Sequence, residues 1–414
     1  MLSSAAFARC RTRAAPLEGA TLPCARWWKN HGVTNTHRFE ALDGWRGVCA
    51  CLVVLFHFHG HSPVYWSGLV RNSYLFVDFF FVLSGFVIAW NYANRLREWP
   101  DVKRFLVLRI GRVYPLHVFM LLCFVAWETL RLATHSEGAF SGPYAPQGVI
   151  TNLLLVQSMG VHQSLTWNGP SWSISTEWWT YVLFALVCAW LGLRNWLLAA
   201  TALAAPLLLL YLSKSGMDTT YDWGFLRCVF GFALGVACQR IYSLVAPFAS
   251  SPGKAVMTFA ECAMVIAVIA FVSAAGTSPM SFMAPFVFAA AVLVFAAEGG
   301  WMSRVFHSRP LKWLGMVSYS IYLTHFFFVL ILPAVVNRIL HMDLWAPMQL
   351  PDGQWVMVFG RNDIEGTLLY AIVVAVTLVA SAFTYRWIEV PGRDWTRKWL
   401  ARPQPSVRAI TGCQ

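Results

Sequence analysis

The sequence predicts an all-α integral membrane protein, with about ten transmembrane helices in one domain and both termini cytoplasmic. Three observations carry this. Of the 414 residues, 58% are hydrophobic and only 12% charged, with 21 Trp, a composition that does not suit a water-soluble globule. Apolar runs long enough to cross about 30 Å of hydrocarbon recur along the chain, and they are continuous rather than alternating, which argues for helices and against a β-barrel. The basic residues are also sorted by side when the spans are threaded from an inner N-terminus. Of 31 Lys and Arg, only Arg71, Arg131, Lys214, Arg227, Arg338 and Arg361 fall outside.

The first span (46–61) is apolar apart from a cation at its mouth and histidines from His57 to its far end, and the second (74–93) is an aromatic run holding one carboxylate. The third (113–133) follows a basic stretch from Arg95 to Arg112 and so starts at the inner face. The fourth (172–191) opens among tryptophans and the fifth (196–212) is rich in Leu and Ala; 224–241, 256–274, 282–297, 314–333 and 367–387 complete the set. Loops 134–171 and 334–366 read as a small outer cap. Residues 1–37 set Arg9, Arg11, Arg13, Arg26 and Lys29 against Glu18 alone and hold no apolar core of a secretion signal. They read as a disordered cytoplasmic tail in preference to an organelle transit peptide. The membrane domain is placed at 38–395, and 396–414 is a basic tail. The net charge of +12 is therefore topological, and no nucleic-acid partner is expected. Ten cysteines without a CxxC pair predict neither a disulfide scaffold nor a zinc cluster, and no metal is expected.

Ionisable residues inside a bilayer cost about 2.5 kcal/mol or more and usually mark a pathway or a reaction site. Arg46 and His57 are eleven residues apart, which returns to one helix face about 16 Å further along the axis. Arg109 and Arg112 share a face at the inner boundary, where two guanidinium groups suit a phosphate-bearing ligand; positive-inside anchoring is the plainer alternative. Asp78 lies about one turn into the second span, closer in depth to His61 than to His57, and its partner stays open. Counting rises puts His57, His325 and Ser84 at a common depth of about 16 Å, while Gly85 suits close helix packing. Glu177 sits about six residues below the outer face, among Trp172, Trp178, Trp179 and Tyr181. Those aromatics serve either as an interfacial belt or as stacking faces for a sugar. Pro115 is placed to bend the entrance of the third span, and Arg386 with Glu389 is expected to form a surface ion pair.

Six strings stand in order between about Arg38 and Trp395: RFEALDGWRGVCACLVVLFHF, YLFVDFFFVLSGFVIAWNY, RFLVLRIGRVYPLHVF, GPSWSISTEWWTYVLFAL, MVSYSIYLTHFF and YRWIEVPGR. Together they resemble the membrane acyltransferase family 3, whose members move acyl groups onto sugars and other acceptors across bacterial inner membranes. The resemblance implies that His57, which closes the family's basic-residue-to-histidine element begun by Arg46, is catalytic. The resemblance also takes in Arg46, the RxxR pair Arg109 and Arg112, Glu177 and His325; with the residue chemistry above, Arg46, Arg109 and Arg112 are expected to bind the donor, and Asp78, Ser84, Glu177 and His325 to hold acceptor or supporting roles. The chemistry agrees, because an alcohol is a weak nucleophile until a base such as a neutral imidazole takes its proton.

The resulting expectation is a multi-pass O-acyltransferase of the bacterial inner membrane. It takes an acyl group, acetyl first, from cytoplasmic acyl-CoA to a hydroxyl of a glycan or lipid-linked sugar. Acyl-CoA is a co-substrate, no cofactor is permanently bound, and membrane lipids surround the chain. Family members often carry an extracytoplasmic hydrolase-like domain, and an end at Gln414 suggests a stand-alone enzyme. Two rivals are a transporter or flippase for a polar lipid, which no readable internal symmetry supports, and an acyltransferase acting on a small molecule.

Overall fold

A segment surrounded by lipid must satisfy its own backbone, so the apolar runs become helices. The computed structural model describes residues 38–246, 253–341, 343–350 and 353–401; the tail expected at 1–37 and most of that at 396–414 lie outside the described residues. From Phe39 onward the chain forms one compact unit. Its main helices are α1 (Glu40–His57), α2 (Phe76–Tyr92), α3 (Trp99–Ala133), α4 (Trp172–Leu186), α5 (Asn195–Leu212), α6 (Gly224–Val245), α7 (Lys254–Ala275), α8 (Ala284–Ala296), α9 (Arg309–Leu340), α10 (Asp363–Thr384) and α11 (Val390–Ala401). Nine segments among the described residues are long and apolar enough to cross a membrane. Helix α1 is not one of them, because Glu40, Asp43 and Arg46 crowd its first two turns, yet the rest of it is apolar and largely buried in the bundle. It packs along α9 with Gly47 against Leu314 and Gly315, and α2 meets α6 at Gly85 and Gly235. Small residues let backbones approach this closely.

Two helices overhang the membrane. At 35 residues α3 is about 52 Å long against about 30 Å of hydrocarbon. It begins well before the expected span, so Pro115 lies inside it rather than at its entrance. Helix α10 continues through a π-helical turn (Tyr385–Glu389) into α11. The two overhangs pack together, Thr396 on Gly111 and Gly392 on Pro115.

The other end departs further from expectation. Strands β1 (Trp345–Gln349) and β2 (Trp355–Phe359) form an antiparallel hairpin, the one exception to the all-α reading among the described residues. Phe359 N–H donates to His59 O at 2.7 Å and Phe359 O accepts from His61 N–H at 3.0 Å, which pins the hairpin beside the end of α1. The segment 134–171 is a surface cap only in part, mostly exposed over 134–147. Beyond that it folds back into the bundle, with Leu155, Trp167, Asn168 and Ser171 all at most 2% exposed. His117 Nε2 lies 2.9 Å from Asn152 O, Tyr114 OH donates to Leu153 O at 2.9 Å, and Asn168 Nδ2 donates to Leu323 O at 3.0 Å. Where it packs among the helices, the bundle supplies partners for its polar backbone. Trp167 adopts φ 55°, a strained value for a bulky side chain, held by its indole N–H on Ala145 O at 3.2 Å. Helix α4 consequently starts inside the bundle.

Candidate functional site

His57 occupies the last turn of α1 and His325 the middle of α9. Their ring centroids are 4.8 Å apart, and His325 Nε2 is 3.2 Å from His57 Nδ1. Backbone geometry sets the tautomers. His57 Nδ1 is 2.9 Å from Val53 O, and His325 Nδ1 is 3.2 Å from Ile321 O. A carbonyl oxygen only accepts, so each Nδ1 carries the hydrogen and each Nε2 the lone pair. The His57 Nδ1–H is then shared between Val53 O and His325 Nε2, and His57 Nε2 keeps a basic lone pair. His325 is fully buried and His57 half-buried. Phe326 packs edge-on to His57 at 5.6 Å and against Gly169, so the re-entrant segment reaches the imidazole pair.

A second polar chain runs toward the basic overhang. Tyr181 OH donates to Glu177 Oε1 at 2.6 Å, one turn away on α4, and Ser84 Oγ lies 2.8 Å from the same phenol. Since the phenol has one hydrogen, Ser84 donates to it. Arg109 lies over the rings of Tyr92 (5.5 Å) and Phe105 (5.9 Å), and its Nε is buried without a partner. Arg112 interacts electrostatically with Glu389, Glu177, Tyr181 and Tyr319. Arg46 is tied to α9 through Ser318 Oγ (3.0 Å) and Gly315 O (2.8 Å), and to Asp43 at 3.2 Å. Arg46 and His57 thus both face α9, in keeping with their eleven-residue spacing.

Several expectations give way here. Asp78 meets neither histidine. It is fully buried and accepts from Arg227 Nε at 2.9 Å and Nη2 at 2.7 Å. Arg227, expected outside, is 1% exposed, also donates to Thr219 O and Tyr74 O, and lies 5.3 Å over Trp172. Trp172, 6% exposed, is therefore a core residue and not part of a belt, and Trp179 donates to Leu155 O at 2.9 Å. His61 has Asp363 as its neighbour at 3.1 Å. Ser84 shares a depth with the histidines by counting, but its bond goes to Tyr181. Glu389 is 1% exposed and accepts from Ser320 Oγ at 3.1 Å, while Arg386 lies over Trp387, so the expected surface pair does not form. A lone cation in GFLRCVFGFALG facing a lone carboxylate in VDFFFVLSGF was the signal for the Asp78–Arg227 pair, and the Glu177–Tyr181 spacing of four was the signal for the phenol.

The bundle thus holds an ionisable pair between apolar helices, with guanidinium groups toward one mouth, an arrangement found in proteins that handle polar compounds within a membrane. Residues 39–386 match the Acyl_transf_3 acyltransferase domain, and the chain belongs to that family of acyltransferases. It is 26% identical over 398 residues to the "Putative membrane-bound transacylase BcsY" of Komagataeibacter xylinus, covering 91% of this chain and 89% of that protein. It is 34% identical over 161 residues to protein 2 in the picA locus of Rhizobium radiobacter, covering 34% of this chain and 77% of that protein. It is 22% identical over 387 residues to the peptidoglycan O-acetyltransferase OatA of Listeria monocytogenes, covering 85% of this chain but 55% of that longer protein. No solved structure matches.

Proposed function

We propose that this chain is an inner-membrane O-acyltransferase that moves an acyl group, acetyl first, from cytoplasmic acyl-CoA to a hydroxyl of a glycan or lipid-linked sugar reaching the bundle from outside. The observation that carries the reading is the basic lone pair on His57 Nε2, set by the Nδ1 contact to Val53 O. His57 Nε2 takes the acceptor's hydroxyl proton as its oxygen bonds to the thioester carbonyl carbon. The C–S bond then breaks, and the thiolate recovers the proton from the imidazolium, leaving an ester and free CoA thiol. His325 Nε2, accepting from His57 Nδ1–H, steadies the imidazolium between these steps. Arg46, Arg109 and Arg112 meet the donor's phosphates at the basic mouth, which in this reading is cytoplasmic along with both termini. Glu177, with Tyr181 and Ser84, holds the transferring group or acceptor, and Asp78 supports the wall through Arg227. A glycan acceptor is supported by the name of the Listeria relative.

The test is purified protein with radiolabelled acetyl-CoA, products being separated into lipids, glycans and free small molecules. Wild type should label a glycan or glycolipid. His57→Gln keeps polarity but cannot carry the proton, so it should lose about 10² to 10⁴-fold in rate at normal membrane abundance. Turnover near the wild-type rate would exclude His57 as the base.

A further inference from the structure

We infer that Arg393, on α11, is a further donor-binding residue, which with Arg46 and Arg112 forms around Glu389 a site for phosphate groups of the acyl donor. This rests on the acyl-CoA reading above. The packing of Thr396 on Gly111 and Gly392 on Pro115 runs α11 antiparallel to α3 and brings Arg393 to the turn that carries Arg112. Glu389, one turn before Arg393 at the end of the π-helical turn, is anchored to Ser320 on α9, two residues from the Ser318 that holds Arg46. Arg112, Arg46 and Arg393 lie within electrostatic reach of this carboxyl group, whose hydrogen bond comes from Ser320. Cations from three separate helices converge on a single buried anion.

The arrangement leaves donors that a ligand would fill. The Nε atoms of both Arg109 and Arg393 are buried without a hydrogen-bond partner. A guanidinium stripped of water on that edge carries an unmet donor, and a tetrahedral anion engages Nε and Nη together. A diphosphate or sugar phosphate offers acceptor oxygens on several sides, which suits guanidinium groups converging from different helices. π-Helical turns of this kind recur at functional sites.

The test measures CoA and 3′-dephospho-CoA binding to the full chain in phosphatidylcholine nanodiscs, for wild type, Arg393→Gln and Arg393→Lys. Arg393→Gln should weaken CoA binding about tenfold or more, and Arg393→Lys, which keeps the charge but not the fork, by an intermediate factor. A deficit that vanishes with 3′-dephospho-CoA assigns Arg393 to the 3′-phosphate, and one that persists assigns it to the diphosphate. Ligand-free melting checks the fold; if Arg393→Gln does not fold, the lysine variant carries the test. Unchanged CoA affinity in a folded variant overturns the assignment. So does a variant that loses only its binding of added phosphatidylglycerol, which would make the ligand a lipid headgroup. Wild-type protein that binds no CoA removes the donor reading itself, whereas wild-type binding with unaffected variants removes Arg393 alone.

Discussion

Asp78→Asn should destabilise the protein strongly without touching the chemistry. The carboxylate makes bonds of 2.9 and 2.7 Å to Arg227, and neither side chain is more than 1% exposed. Removing one member of such a pair leaves an uncompensated buried charge, at a cost of about 3–5 kcal/mol. The low end applies, because Arg227 keeps Thr219 O, Tyr74 O and the faces of Tyr74 and Trp172. About 3 kcal/mol is roughly a hundredfold in the folded-to-unfolded ratio. The double replacement Asp78→Leu with Arg227→Met removes both charges at similar volume and should restore most of that loss. Unfolding in detergent by heat or denaturant, with acyl transfer measured on the folded fraction, gives both quantities. A single variant costing under about 1 kcal/mol would refute the energetic argument. A stable but inactive double variant would return Asp78 to the reaction site.

His325→Leu should lower the transfer rate at least tenfold with donor affinity unchanged, and His325→Gln, whose carbonyl still accepts from His57 Nδ1–H, should recover part of it; equal rates in Leu and wild type would remove His325 from the mechanism. Reporter fusions at the C-terminus and near Gly353 should read opposite sides of the membrane, and two reports from one side would sink the topology. Glu261→Ala should cost about 3 kcal/mol of stability, because the buried carboxylate of α7 accepts from Gly300 N–H (2.8 Å), Ser303 N–H (2.9 Å) and Ser303 Oγ–H (2.6 Å) at the start of the helix Trp301–Phe306. A melting temperature equal to wild type would show that water or another residue replaces it.

The helices were legible because lipid demands long apolar runs, and even α1 announces itself by the apolar stretch behind its three charges. Depth along a helix was legible too. Counting rises put His57 and His325 on one level, and they touch. Counting does not say which faces meet, so Ser84 at the same level joins Tyr181 instead. It also assumes that each span begins at a surface. That assumption failed for α4, because a polar, Pro- and Gly-containing segment looks the same in sequence whether it lies on a membrane or is swallowed by one. The burial of Arg227 and Trp172 was not legible, because single charges and aromatics are read by distance from a loop while their partners sit on other helices.

The segment that folds back into the bundle changes how far apart its two polar ends lie. Asn168 brings polar backbone down to Leu323 of α9, while Arg46 reaches Ser318 from the opposite mouth. From Ser318 to Leu323 is five residues, about 7 Å of helix, against about 30 Å of hydrocarbon in an undisturbed bilayer. The two polar approaches leave only a short stretch of α9 between them, and His57 and His325 lie beside it. In the proposed reaction a proton leaving the acceptor therefore passes to His57 among fixed polar groups of the protein rather than through solvent.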